Sequence, residues 1–473
     1  MSDLLPLLSG SNDYESYIQP KRESADNTKS EAWYILRAAA PLVVTFVLQY
    51  LLSVTSIYAS GKLGSLELAA TSLAVCSFNI TGLAIYQGMA TSLDFFCPQA
   101  YGSGNITDVG LYFQRCLALG LAITVCPLAL IWWFSGSILK LMVPNEDIVM
   151  LAQQYMRIII IGAPGLLMFE TGKRFLQAQH IYNAGIYVLA VASPVNVILH
   201  WLLVWNESTG LGFIGAPIAV SITFWLLSIL MLLYVLLIDG KKCWAKFESR
   251  ALTNWKPMLK LAIPGTIMVE AEYLAFEVLT ILAASFGTDA LAAQSIAANI
   301  AALLYQLPFA ISVILSTRVS YLIGLEDVLA AKLVIRISTY LSLGISTLNF
   351  CIVFFGRLVL SRFFTNSEDV ISMSKNLLVL TSINQIADAF NVSGAGILRG
   401  QGRQRIGSLL SLFSYYIIAL PVGYLLAFKV HIGLPGLWVG LICAVAFLAL
   451  SEYLCIIKCN WPRILTESQN RLD

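Results

Sequence analysis

The sequence predicts an all-α membrane protein of twelve spanning helices, built as two related six-helix halves. Three observations carry that prediction. Hydrophobic residues make up 58% of the 473 and charged residues only 12%, where soluble domains carry about 25% charged residues; the mean hydropathy is +0.77. Twelve windows are long and apolar enough to cross a bilayer, which takes about 20 residues each. The chain also repeats itself at a constant offset of 223: Pro41 lies over Pro264, and LGSLELAATSL from Leu63 to Leu73 lies over FGTDALAAQSI from Phe286 to Ile296. Parallel repeats of this kind put a substrate site between the halves.

Taken in order, residues 1–32 are polar and rich in Ser, Asp, Asn, Glu and Lys, the composition of a disordered tail. Within them Asp3-Leu4-Leu5-Pro6-Leu7-Leu8 resembles an acidic dileucine sorting signal of vacuolar and lysosomal proteins. The first lobe, 33–238, holds spans near 36–59, 66–92, 111–134, 149–171, 184–205 and 213–238. A basic linker follows at 239–255, with Lys241, Lys242, Lys246 and Arg250. The second lobe, 256–457, holds spans near 257–286, 290–317, 333–360, 371–396, 406–428 and 433–457, and a second tail occupies 458–473. About three quarters of the Lys and Arg residues fall on the side that holds both termini, which the positive-inside rule makes cytoplasmic. The expected setting is a multi-pass membrane protein with cytoplasmic termini, in a vacuolar-type membrane in preference to the plasma membrane.

Other readings find little footing. A net charge of +2 gives no basis for nucleic-acid binding. The nine Cys and three His lack CxxC and metal-ligand spacings, so neither a disulfide framework nor a metal site is expected. Gly210, Gly212 and Gly215 spell GxGxxG, but no strand precedes them as a dinucleotide site requires, and a tight turn is expected instead. Walker A, HExxH and GxSxG patterns are absent. The chain is therefore expected to be neither an ATP-driven pump nor an enzyme.

The informative residues are acidic. Pro264 to Phe286 is long enough to span yet carries Glu270, Glu272 and Glu277. A charged side chain at membrane depth costs roughly 2.5 kcal/mol or more, and such residues usually face a cavity and serve transport. Ile383 to Ile397 repeats the pattern: Asn384, Asp388 and Asn391 lie at i, i+4 and i+7 and share one helix face. Two spans with acidic faces suggest a proton- or cation-coupled carrier. At about 100° per residue, Glu270 and Glu277 share a face while Glu272 points about 140° from Glu277. A straight helix is not expected to aim all three at one cavity; either a kink reorients them or one alone couples. At the repeat offset Gln49 lies over Glu272, so the ion-coupling role falls to the second half and Gln49 is expected as a polar substrate contact.

Several segments then add up. They are Asn79-Ile-Thr-Gly82, TSLDFFCPQAYG from Thr91 to Gly102, KRFLQAQ from Lys173 to Gln179, Glu272-Tyr-Leu-Ala-Phe-Glu277, QSIAAN from Gln294 to Asn299 with Ser316-Thr-Arg-Val319, and Asp388-Ala-Phe-Asn391 with GILRGQGRQ from Gly396 to Gln404. In this order they resemble the multidrug and toxic compound extrusion (MATE) family in its eukaryotic branch, over about residues 33–457. The resemblance implies two six-helix bundles forming a V around a central cavity. It also implies export of organic cations or amphipathic compounds in exchange for H⁺ or Na⁺. By motif position Glu272, Glu277 and Asp388 take the coupling role, and Gln49 and Asn79 match polar cavity positions. The sequence departs from the family's Cys-x-Glu-Trp-Trp pattern, with Glu270, Tyr273 and Leu274 around Glu272.

The reading is a secondary antiporter exporting organic cations, xenobiotics or metabolites by alternating access. Its coupling ion would be H⁺ in preference to Na⁺, with no cofactor. Glu272, Glu277 and Asp388 would couple, and Gln49, Asn79, Asn384, Asn391 and Tyr273 would line the cavity. Tyr273, Tyr305, Tyr415 and Tyr416 are candidates for cation–π contacts. The partners are the lipid bilayer and a small cation, and a monomer suffices because the site lies within one chain. The alternatives are a lipid-linked flippase of the same superfamily fold, which the acidic faces disfavour, and a non-transporting membrane sensor.

Overall fold

The computed structural model of the chain describes residues 28–140, 145–244 and 246–472, and shows no strand among them. The dileucine segment lies outside the described residues. Twelve long helices follow one another. The first lobe comprises α1 (Thr28–Gly61), α2 (Ser65–Gly102), α3 (Ile106–Trp133), α4 (Glu146–Ala178), α5 (Ala184–Trp205) and α6 (Gly212–Leu237). The second comprises α7 (Lys256–Ala284), α8 (Thr288–Gly324), α9 (Val328–Phe364), α10 (Glu368–Gly400), α11 (Gln404–Lys429) and α12 (Leu434–Ile457). Ten are apolar enough by composition to cross a membrane. The other two are α7 and α10, 29 and 33 residues long, which carry the acidic residues singled out above. Their length fits a span; their polarity marks what they face.

Each lobe is organised around one heavily packed helix. α4 packs along α6 and the first half of α2, and α10 packs against α8, α9 and α12. Outward-facing side chains such as Ile161, Phe355 and Val359 are exposed, as expected of surfaces that lipid tails cover. Gly210–Gly215 forms the expected tight turn: Gly212 takes a left-handed φ of 61° and Gly215 lies against the Leu203 carbonyl.

Two boundaries differ from the sequence reading. Residues 28–32 belong to α1 and not to a disordered tail, because Glu31 is clamped by Arg318 of α8 at 2.7 and 3.0 Å. The segment expected as a second tail contains a further helix, α13 (Trp461–Leu472). Trp461, Ile464 and Ser468 are buried at i, i+3 and i+7, and Arg471 donates to the Gly402 carbonyl at 2.8 Å.

The lobes meet on one face and diverge toward the other, forming a V. On the closed face the end of α2 packs on α8, and the middle of α2 packs on α7. The approach is backbone to backbone: a Cβ on Gly102 would overlap the Tyr321 carbonyl, and one on Gly324 would overlap the Gln99 carbonyl. Ser320 Oγ also donates to the Phe95 carbonyl at 2.6 Å. The start of α1 and the whole of α13 lie on this same face.

The α4–α5 turn adds a latch here. α4 and α10 end in the same way, with a 6→1 bond from Ile181 N to Leu176 O in one and from Arg403 N to Leu398 O in the other. The left-handed position this requires is Gly402 in the second lobe (φ 67°) and His180 in the first (φ 63°). The strain of a non-glycine residue there is offset by contacts. His180 Nδ1 lies 3.0 Å from Tyr34 Oη and 3.2 Å from Tyr182 Oη, and its ring stands edge-on to Tyr101 and to Tyr321 of the other lobe. Burial, with Arg318 behind it, pulls the imidazole down to about 4.

The neutral ring is therefore the form the latch holds. Its contribution is complete above the ordinary histidine value of 6.5 and should be lost as pH falls from there through about 4. Spin labels at exposed Ser103 and Arg405, one per lobe, should report a closed-face distance that stays constant above pH 6.5 and lengthens below it. A His180→Gln variant should lose that pH dependence.

Candidate functional site

Between the lobes lies a cavity of about 520 Å³. α1, α2, α7, α8 and α10 supply most of its wall, with Ser411 and Tyr415 from α11 and Leu448 from α12. Three carboxylates border it, Glu272, Glu277 and Asp388, against one guanidinium, Arg399. The polar wall continues through Gln49, Asn79, Asn384 and Asn391, and Tyr273 stands in the opening, partly exposed. The eight residues expected to couple or to line the cavity thus border a single one.

The helix-wheel expectation for α7 needs correction. Glu272 and Glu277 both reach the cavity, whereas Glu270 does not. No kink is needed, because the cavity occupies a wide arc of the helix. Met268, Val269, Glu272, Tyr273, Phe276, Glu277 and Thr280 all border it, and at 100° per residue they cover about 180°. Glu277 stands at one edge of that arc and Glu272 lies within it. Glu270 falls outside it, beside Tyr416 of α11, and Tyr416 is likewise not part of the wall.

Asp388, Arg399 and Tyr305 are the electrostatic neighbours of Glu272. Asn391, one turn along α10, serves Asp388. Glu277 instead accepts from Cys76 Sγ of α2 at 3.0 Å, a contact between the lobes. Tyr50 of α1 donates to Asn299 Oδ1 of α8 at 3.0 Å and makes a second such contact. In α2 a wider π turn over Asn79–Ala84 puts Asn79, Ile80 and Leu83 on the wall. Such turns recur at functional sites because they re-aim side chains without ending the helix.

Gln49 is held from behind. Its Nε2 donates to Glu170 Oε1 at 2.6 Å and its Oε1 accepts from Lys173 Nζ at 2.8 Å. Lys173 and Glu170 form an ion pair at 2.8 Å, both almost wholly buried. The Lys173 ammonium also stands over the Phe46 and Phe169 rings at 5.4 and 4.8 Å. In the first lobe the polar residue is thus locked by its own network. In the second the equivalent Glu272 faces open space.

Sequence reasoning missed the floor of the site. Asp94 bridges the lobes, 3.2 Å from Arg174 of α4 and 3.8 Å from Arg399 of α10. Arg399 Nη2 also donates to Ser312 Oγ at 2.7 Å, and Ser312 donates in turn to the Val392 carbonyl. A signal was available, since Asp94 and Arg399 both lie in the quoted segments. Charges near a helix end read as interfacial when the opposite lobe is not known.

The comparisons with known proteins agree with this architecture. The MatE family model matches residues 41–202 and 264–425, two segments displaced by 223, the offset of the internal repeat. The chain belongs to the MatE family. Across 93% of its length it is 41% identical to an uncharacterized transporter of Saccharomyces cerevisiae, of which it covers 63%. It is 32% identical to Protein DETOXIFICATION 16 of Arabidopsis thaliana, with 96% and 93% of the two chains covered. It is also 31% identical to human Multidrug and toxin extrusion protein 1, with 93% and 77% covered. The crystal structure of the eukaryotic MATE transporter AtDTX14 superposes with a TM-score of 0.89 at 26% identity, over 95% of this chain and all of that one. MatE transporters have two six-helix bundles, as here.

The Glu170–Lys173 pair gives this MatE chain a measurable anchor. Removing one partner of a buried ion pair strands the other, at a cost of about 3–5 kcal/mol. Thermal unfolding in detergent should show Glu170→Ala strongly destabilised. A Glu170→Leu/Lys173→Met double variant, which removes both charges and keeps the volume, should recover most of that loss.

Proposed function

We propose that this chain is a proton-coupled antiporter that exports organic cations or amphipathic metabolites by alternating access. The observation that carries the reading is the pairing of Glu272 with Asp388 in a cavity bordered by three carboxylates and one guanidinium. Such a wall attracts cations. Arg399, its one basic member, is turned toward Asp94 and Ser312. The names of the DETOXIFICATION and multidrug and toxin extrusion relatives support the class of cargo.

In the exchange, the ionised Glu272 and Asp388 hold the cation while Asn384, Asn391 and Gln49 contact its polar groups. Tyr273, Tyr305 and Tyr415 offer aromatic faces to its charge. Protons arriving through the open side neutralise the carboxylates, and the cation leaves. Linkage makes this reciprocal: the cargo opposes protonation as much as protons oppose the cargo. Glu277 stands nearer the opening and adds negative charge there. The chain works as a monomer with the closed face toward the cytoplasm, which places both termini on that side. H⁺ is the coupling ion. The dileucine segment favours a vacuolar-type membrane, where the same exchange sequesters the cargo.

The test is uptake of a fluorescent organic cation into acid-loaded proteoliposomes. Glu272→Gln and Asp388→Asn each remove a charge-assisted contact worth about 1.5–3 kcal/mol. Uptake at low substrate should therefore fall about tenfold or more. Wild-type uptake that ignores the pH gradient and follows a Na⁺ gradient would overturn proton coupling.

A further inference from the structure

Glu452 lies on α12 and is entirely buried, at 0% exposure. Neither of its carboxylate oxygens has a hydrogen-bond partner, and no ion pair reaches it among the described residues. Leu448, one turn earlier on the same helix face, borders the cavity. Glu452 therefore sits one turn behind the cavity wall. Room for it is made by Gly394 of α10, where a Cβ would come within 2.7 Å of Oε2.

The titratable and charged groups that face it are Arg399 of α10, Glu272 of α7, Tyr415 of α11 and its own neighbour Tyr453. Only one of these is a cation. Arg399 is at present engaged elsewhere, with Nη2 on Ser312 and Nε 3.8 Å from Asp94 Oδ2 of the other lobe. That engagement is loose, since both Arg399 Nε and Asp94 Oδ2 are buried without a hydrogen bond. Arg399 thus has three carboxyl groups within its surroundings. Asp94 belongs to the opposite lobe and can be held only while the closed face is closed; Glu452 and Glu272 belong to its own lobe.

A buried carboxylate with no donor in hydrogen-bond contact is far cheaper neutral than charged. We propose that Glu452 is a further proton-binding site, protonated while Arg399 is held by Asp94 across the closed face. When the lobes part there, Asp94 stays with Arg174 and Arg399 is released to Glu452. Glu452 then ionises and pairs with Arg399. Its proton leaves to the water that enters the newly opened face. One O–H bond breaks, one proton reaches solvent, and each lobe is left with one Asp/Glu–Arg pair. The device links the state of the closed face to a proton inside the second lobe, without either cargo or Glu272. It deepens the proton-coupled reading and rests on it for its role in transport, although its chemistry can be tested without transport.

The test is infrared difference spectroscopy of the purified full chain at neutral pH. A Glu272→Gln/Asp388→Asn background removes the paired carboxylates of the cavity. That background should retain a protonated-carboxyl band that exchanges with deuterium, and adding Glu452→Gln should remove it. Adding Asp94→Asn, which frees Arg399, should remove the band too. Gly102→Leu, which wedges the closed face apart while leaving every charge in place, should do the same, so the outcome does not depend on the folding of one variant. Absence of the band in the background, its persistence in Glu452→Gln, or its indifference to both Asp94→Asn and Gly102→Leu would overturn the proposal. Because no substrate or gradient is involved, a failure of proton-driven uptake leaves this result standing and is distinguishable from it.

Discussion

The structure depends on one constraint: a polar or charged group held in a hydrocarbon environment must find a partner or lose its charge. The two lobes meet it differently. The first lobe closes its polar residues into a network, with Lys173, Glu170 and Gln49 bonded to one another and the ammonium covered by aromatic rings. The second leaves Glu272 and Asp388 facing a cavity wide enough for a small molecule. The repeat makes the contrast interpretable, because Gln49 and Glu272 occupy the same position in the two halves. In one half the position is locked into a network of side chains; in the other it is a carboxyl that faces the cavity.

The same constraint shapes the closed face. Two backbones touch where Gly102 and Gly324 remove the side chains between them, and buried charges meet at Asp94. Close packing of this kind is either made or broken, with little intermediate stability. It suits a surface that separates as a unit. The His180 cluster caps it with aromatic edges and accepts backbone strain at one residue to do so. The charges at the centre are only partly satisfied, and a tightly bonded centre would hold the lobes together more firmly.

Much of the site was legible in the sequence because a membrane makes polarity conspicuous. Glu272, Glu277 and Asp388 stood out against apolar neighbours, and i, i+4, i+7 spacing put Asn384 and Asn391 beside Asp388. Angular reasoning on α7 fared worse. A wheel gives directions but not how much of the circumference a cavity takes, and here the cavity takes enough to admit two glutamates that point about 140° apart. Glu452 went unnoticed for a related reason. One carboxylate near the end of an apolar helix looks interfacial until the neighbouring helices are seen to cover it.

By itself the sequence determined the class, the number of spans, the twofold repeat and the family, since each is written in local composition or in motifs with fixed spacing. It also determined which helices carry the polar faces. Tertiary structure alone decided which charges meet. Asp94 with Arg399, Glu31 with Arg318 and the His180 latch join residues more than a hundred positions apart, across the seam between lobes. The burial of Glu452 is of the same kind. Burial and pairing depend on what packs on the far side of a residue, and no local pattern in a uniformly apolar chain records that.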